Sequence, residues 1–141
     1  MRITVTGGAG YLGSLLMNRL NAQNHTVISI DNQSIGDYRW LQDKHIRNLQ
    51  VGDIREPGEL DKALKDADAV AHLTALPGLV QCNEHPDLAC STNVLGTHRL
   101  LEAASRNGVK RVVFCSTAAV YGVPEKLPVN EEHPTKPLNP R

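Results

Sequence analysis

Thr6-Gly7-Gly8-Ala9-Gly10-Tyr11-Leu12-Gly13 decides how this chain is read. The glycines fit G-x-x-G-x-x-G (Gly7, Gly10, Gly13) and equally G-x-G-x-x-G (Gly8, Gly10, Gly13). Before them, Arg2–Thr6 has the β-branched composition of a strand. After them, Leu12, Leu15, Leu16 and Leu20 recur at helical spacing, which predicts a helix over Tyr11–Gln23. A strand that passes through glycines straight into a helix is built to receive phosphate. One glycine permits the tight turn, the next lets backbone approach a pyrophosphate with no Cβ in the way, and the last lets the helix pack on the strand. Free N–H groups near Tyr11 and Leu12 then face the anion, aided by the helix dipole. Glycines alone are a weak signal, because any tight strand-to-helix turn favours them. The acid expected about 20 positions on is present as Asp31, at the end of the second strand and 21 positions past Gly10. A carboxylate there accepts from both ribose hydroxyls and repels a 2′-phosphate, so NAD is expected over NADP.

Working outward, Thr26–Ile30 reads as the second strand and Ile46–Val51 as a weaker third. Pro57 opens a helix to about Asp66, with Leu60 and Leu64 as i, i+4 partners. Asp68–Leu73 is a fourth strand ending in a loop around Pro77-Gly78. A long helix is predicted from Pro86 to Asn107, stopped by Gly108, with a fifth strand over Lys110–Ser116. Strand and helix in alternation mean a parallel sheet with right-handed crossovers. The expected architecture is α/β, a Rossmann-type doubly wound parallel sheet ordered 3-2-1-4-5. Five prolines between Pro124 and Pro140 exclude regular structure there. Residues 1–122 are thus read as the dinucleotide-binding domain and 123–141 as a Pro-rich loop.

Composition narrows the class. The chain has 141 residues, with 15 Lys plus Arg against 15 Asp plus Glu, 40% hydrophobic and 21% charged. That suits one ordered domain with a real core. Zero net charge argues against a nucleic-acid or anionic-membrane partner, which would need a basic surface. Apolar runs fall far short of the roughly 20 residues of a membrane span. Met1 leads almost at once into Ile3-Thr4-Val5, so no signal peptide and a cytoplasmic location are expected. Three cysteines form no C-x-x-C pair, and Cys82, His85 and Cys90 match no zinc spacing, so no metal is expected.

The sequence resembles the extended short-chain dehydrogenase/reductases, in their NAD-dependent nucleotide-sugar epimerase and dehydratase branch. The resemblance spans essentially the whole chain. It rests on the glycine stretch, Asp31-Asn32, Gly52-Asp53-Ile54-Arg55, His72-Leu73-Thr74-Ala75, Asn93-Val94-Leu95-Gly96-Thr97 and Phe114-Cys115-Ser116-Thr117-Ala118-Ala119-Val120-Tyr121-Gly122. It implies that Gly7, Gly10, Tyr11, Leu12, Gly13, Asp31 and Asn32 bind NAD. Asp53 would contact the adenine amino group while Ile54 packs on the ring. Leu73, Thr74 and Ala75 would run along the cofactor, Thr74 standing where most relatives carry alanine. Asn93 would hold backbone near the nicotinamide half, and Ser116 would lie beside the cofactor. Thr117 occupies the catalytic serine/threonine position.

The family's chemistry also needs a tyrosine with a lysine four residues on, the lysine drawing the phenol's pKa toward working pH. Here Tyr11 is followed by Leu15, Tyr38 by Gln42 and Tyr121 by Glu125, so no Tyr-x-x-x-Lys exists. Asn139-Pro140-Arg141 resembles the stretch just before that tyrosine. The expectation is therefore the N-terminal part of an epimerase, stopping short of the catalytic pair and substrate lobe and inactive alone. Dehydratases of the family carry Asp-Glu after the Thr117 position. Ala118-Ala119 stands here, which favours epimerisation of a UDP-sugar of the UDP-glucose/UDP-galactose type. Two readings compete: a non-catalytic NAD(H)-binding module, and an NAD(P)-dependent reductase of the same superfamily, against which Asp31 argues. The fifth strand is expected to leave an apolar edge that invites homodimers or aggregation unless the Pro-rich loop covers it.

Overall fold

In the computed structural model, which describes residues 1–41, 46 and 48–138, the glycine turn sits at the middle of a parallel sheet. The strands β1 (Arg2–Thr6), β2 (Thr26–Asp31), β3 (Asn48–Val51), β4 (Ala69–His72) and β5 (Arg111–Phe114) lie in the order β3-β2-β1-β4-β5. Every pairing is parallel, with Val5 level with Ser29 on one side and Ala71 on the other. This is the Rossmann-type arrangement expected from the alternation of strand and helix. Asn139-Pro140-Arg141 lies outside the described residues, as does the part of the expected third strand at residue 47.

Two cores follow from the period of two along each strand. On one face Val5 and Val27 pack with Met17 of α1 (Tyr11–Ala22), joined by Leu41 and Ile46. On the other, Ile30 and Val70 meet Leu60, Ala63 and Leu64 of α2 (Pro57–Leu64). Leu100, Ala103 and Ala104 of α5 (Thr97–Arg106) complete that second core. No helix among the described residues is long and apolar enough to cross a membrane.

The fourth crossover departs from the expected single helix. A short α3 (Leu79–Glu84) precedes it, begun by Gly78 at φ 84° and anchored by buried Cys82. Six residues are too few to show a helical period, which is why the sequence did not announce it. Then α4 (Pro86–Ala89), a π-helical segment (Cys90–Gly96) and α5 run on without a break. Within the π-helical segment the Asn93 carbonyl accepts the Thr97 hydroxyl at 2.8 Å.

That carbonyl ends a buried polar chain through the second core. The Thr97 hydroxyl donates to Asn93 O, so its oxygen accepts His72 Nε2–H at 2.9 Å. With the ring neutral, His72 Nδ1 then accepts the Thr6 hydroxyl at 2.7 Å, and Thr6 Oγ1 in turn accepts the Thr74 N–H at 3.3 Å. Only a neutral imidazole fits this order of donors. Burial, with 1% of the residue exposed, pushes the His72 pKa down to about 4.

The Pro-rich segment folds on itself. Tyr121 meets His133 edge-on at 5.6 Å, Glu125 N–H donates to His133 Nε2 at 3.0 Å, and Lys136 pairs with Glu125. It leaves Val113 58% and Phe114 56% exposed on edge strand β5. Concentration-dependent association through β5 is expected, and sedimentation should show it relieved by Val113→Lys, since edge charges oppose strand pairing. A second expectation concerns pH. His72 takes up a proton on unfolding between pH 6.5 and about 4, so stability is full above 6.5 and falls as pH drops through that window. Urea titrations at pH 7 and pH 4 should differ by about 3 kcal/mol from this group.

Candidate functional site

A groove of about 520 Å³ crosses the carboxyl ends of the strands. It is lined by Gly7, Gly10, Tyr11, Leu12 and Gly13 at its middle, by Asp31, Asn32, Asp53 and Ile54 at one end, and by Leu73, Thr74 and Ala75 beyond. The expected cofactor contacts from these four stretches of sequence thus all border one cavity, while Gly8 does not. Nor do Ser116, Thr117 and Asn93.

The middle of the groove is an anion seat. The N-cap of α1 is Gly10, which brings no side-chain acceptor to the first-turn amides, and no acidic side chain stands in that turn. The macrodipole of a 12-residue helix is thus uncompensated at the groove. Gly13 makes this placement feasible, because a Cβ on it would lie 2.1 Å from Gly7 O. The helix therefore starts in backbone contact with the turn, and in the Gly7–Gly10 loop the one side chain is the fully buried methyl of Ala9. A dinucleotide fits this cradle.

Two carboxylates mark one end, and they differ. Asp31 accepts the Gln33 N–H on Oδ1 at 2.6 Å and the Ala9 N–H on Oδ2 at 3.1 Å. A carboxylate offers about four acceptor sites, so each oxygen keeps one for a ribose hydroxyl. Asp53 has none spare. Its Oδ1 accepts Arg55 N–H at 2.8 Å and Nε–H at 2.9 Å, while Oδ2 takes Arg55 Nη2 at 2.6 Å and Asn32 Nδ2 at 3.0 Å. The Arg55 hydrogen bonds, above all, hold its pKa down to about 2. An adenine amino group reaches Asp53 only if Asn32 yields its place. Ile54 borders the groove but is 2% exposed, its side chain buried in the second core.

Beyond the anion seat the β4 loop is clamped. Asn93 Oδ1 accepts the Leu76 N–H at 2.8 Å and its Nδ2 donates to Leu76 O at 3.2 Å. The amide thus holds the loop from behind without lining the cavity. Ser116 and Thr117 are exposed after β5, and Thr117 caps the 3-10 turn Ala118–Tyr121 by accepting the Ala119 N–H at 3.2 Å.

Ser34, Ile35, Gly36, Pro77 and Thr92 also line the groove without having been expected there, as do Gly52 and Cys115, which the motifs contain but to which no contact was assigned. The first three belong to the loop after β2, which closes on the glycine turn through Asp37 N–H to Ala9 O at 2.9 Å. Half-buried Tyr38 pins that loop, donating to Gln50 O at 3.1 Å and accepting from Ser29 at 2.8 Å. Burial lifts its phenol to about 12, so it serves as an anchor and not as a base. A glycine in a polar loop was the one available signal.

Comparison with known proteins agrees with this geometry. The NAD dependent epimerase/dehydratase family matches residues 3–141. A UDP-glucose 4-epimerase of Halalkalibacterium halodurans is 39% identical over 99% of this chain and 42% of its own length. Among solved structures, the UDP-glucose 4-epimerase of Thermus thermophilus in complex with NAD superposes with a TM-score of 0.88 at 35% identity. That match covers 97% of this chain and 45% of the other. A UDP-N-acetylglucosamine 4-epimerase from Methanobrevibacter ruminantium M1 also gives 0.88, at 32% identity, over 97% of this chain and 44% of its own. The chain spans less than half the length of these relatives.

The glycine cradle makes a paired prediction. Gly13→Ala drives a Cβ into backbone and should destabilise by about 3 kcal/mol. Gly58→Ala, in α2 with nothing within 4 Å, should stabilise by about 0.5 kcal/mol. Urea unfolding of the two variants measures both.

Proposed function

The chain belongs to the NAD dependent epimerase/dehydratase family, and from that premise we propose that it supplies the NAD-binding part of a nucleotide-sugar 4-epimerase acting on a UDP-sugar. The observation that carries the reading is the sequence of features along one groove. Asp31 with spare acceptors lies at one end, uncapped amides of α1 at the centre, and the clamped β4 loop beyond. Asp31 takes the adenosine ribose, the α1 amides take the pyrophosphate, and Leu73-Thr74-Ala75 flank the second half. Asn32 and Asp53 shape the adenine end, and at the other end Asn93 acts only by holding the β4 loop through Leu76.

When bound, the nicotinamide ring supplies a reversible hydride acceptor. The residues of this chain bind and orient. Thr117 keeps its own hydroxyl proton while accepting from Ala119, so it can donate to a sugar hydroxyl. Ala118-Ala119 offers no carboxylate beside it, which supports epimerisation over loss of water. The acid–base pair is not among these residues, since no tyrosine here has a lysine four positions on. By itself the chain should therefore bind cofactor without turning over UDP-sugar, a missing acid–base pair removing about 10²–10⁴ in rate.

Calorimetric titration tests the cofactor. NAD should bind at least about tenfold more tightly than NADP, a gap of about 1.4 kcal/mol. Asp31→Asn, which keeps an acceptor for Gln33 N–H, should narrow that gap by admitting the 2′-phosphate. Equal affinities for the two cofactors in the unaltered protein would sink the reading.

A further inference from the structure

We infer that the Thr74 hydroxyl is a ligand contact for the part of the dinucleotide beyond the pyrophosphate, and sets a preference for the whole dinucleotide over its ADP half. The inference rests on the groove being a dinucleotide site, as proposed above.

Thr74 Oγ1 is shielded from solvent and has no hydrogen-bond partner, the single such side-chain nitrogen or oxygen among the described residues. The other buried hydroxyls all have partners. Thr4 donates to Ala63 O, Thr6 engages His72, Ser14 donates to Tyr11 O and Ser29 meets Tyr38. An unpaired buried hydroxyl costs free energy, so a fold that satisfies every comparable group but one points to a function at the exception. Valine would fill the same volume without that cost.

The backbone around this hydroxyl is held from two sides. The Thr74 N–H is committed to Thr6 Oγ1 at 3.3 Å, and through it to His72 and Thr97. On the other side a Cβ on Gly7 would come within 2.8 Å of Thr74 N, so loop and glycine turn are in contact. Thr74 borders the groove, and rotation among staggered χ1 positions redirects its hydroxyl without moving the chain.

Strand order tells which part of a ligand it meets. Asp31 ends β2, the glycine turn follows β1, and Thr74 follows β4, with β1 lying between the other two strands. At about 4.8 Å per strand, Asp31 and Thr74 stand roughly 10 Å apart on opposite sides of the anion seat. A ligand with one ribose on Asp31 and its pyrophosphate on α1 therefore reaches Thr74 with its second ribose. That sugar carries hydroxyls able both to donate and to accept.

The test compares the unaltered protein with Thr74→Val and Thr74→Ser. NADH binding is read by nicotinamide fluorescence, ADP binding by calorimetry, and ligand-free stability by thermal unfolding. Thr74→Val should weaken NADH about fivefold to tenfold and ADP less than about twofold, with Thr74→Ser near the unaltered values. Free of ligand, Thr74→Val should unfold at the same temperature or higher. Unchanged NADH affinity in Thr74→Val, an equal loss for ADP, or a lower unfolding temperature rescued by serine would each overturn the inference and leave the cofactor reading standing. If the unaltered protein binds neither NADH nor ADP, both fall together.

Discussion

The structure depends on how closely the first turn of α1 lies against the turn that leads into it. With a Cβ at position 13 the helix would have to lift off Gly7 O, which stands 2.1 Å from where that atom would be. Lifting it would undo two things at once. Met17, fully buried against Val5 and Val27, would leave the first core, and the first-turn amides would retreat from the groove. Packing and anion binding thus share one steric condition. Gly13 lets the helix reach the sheet, and Gly10 at its N-cap leaves the positive end uncapped by any side chain.

The opposite wall is positioned by polar groups in an apolar layer. Thr6, His72 and Thr97 form a single line of hydrogen bonds between the Thr74 N–H and the Asn93 carbonyl, and Asn93 turns its amide onto Leu76. The β4 loop is held at both of those points. Burying an imidazole is tolerable because both ring nitrogens are satisfied while the ring is neutral, and burial itself keeps it neutral by lowering its pKa. The arrangement gives rigidity where the groove needs it, at the C-terminal end of a short central strand.

Much of this was readable from the residues. The β-branched strands, the helical spacing after the glycine turn and the turn itself give sheet order and groove position, because right-handed crossovers leave few alternatives. Of the four leucines expected along α1, Leu12 and Leu15 are exposed, and Met17 with partly buried Leu16 and Leu20 makes the packed face. The stretches around Gly7–Gly13, Asp31, Asp53 and Leu73–Ala75 all reach the cavity. What escaped was set by tertiary contacts. Helix α3 is too short for a period, and the π-helical turn changes hydrogen-bond spacing without changing composition. The loop carrying Ser34, Ile35 and Gly36 is held at the groove by Asp37 N–H on Ala9 O and by Tyr38, pinned between Ser29 and Gln50. The saturation of Asp53 by Arg55 and Asn32 depends on side-chain geometry that no spacing rule conveys.

Charge in the groove then decides what kind of anion it takes. Among the described residues no lysine or arginine lines it, while two carboxylates do. Arg55, the nearest cation on the Asp53 side, is committed to Asp53 and cancels that charge in place. Among the described residues Asp31 has no cationic partner, its oxygens accepting from the amides of Ala9 and Gln33. A pyrophosphate is therefore met by backbone dipoles alone, at the one place where a helix end opens on the cavity. Among the described residues that line the groove, none carries a positive charge that a further phosphate beside Asp31 could meet. The neutral overall composition of the chain is consistent with a groove whose attraction for an anion is local and dipolar.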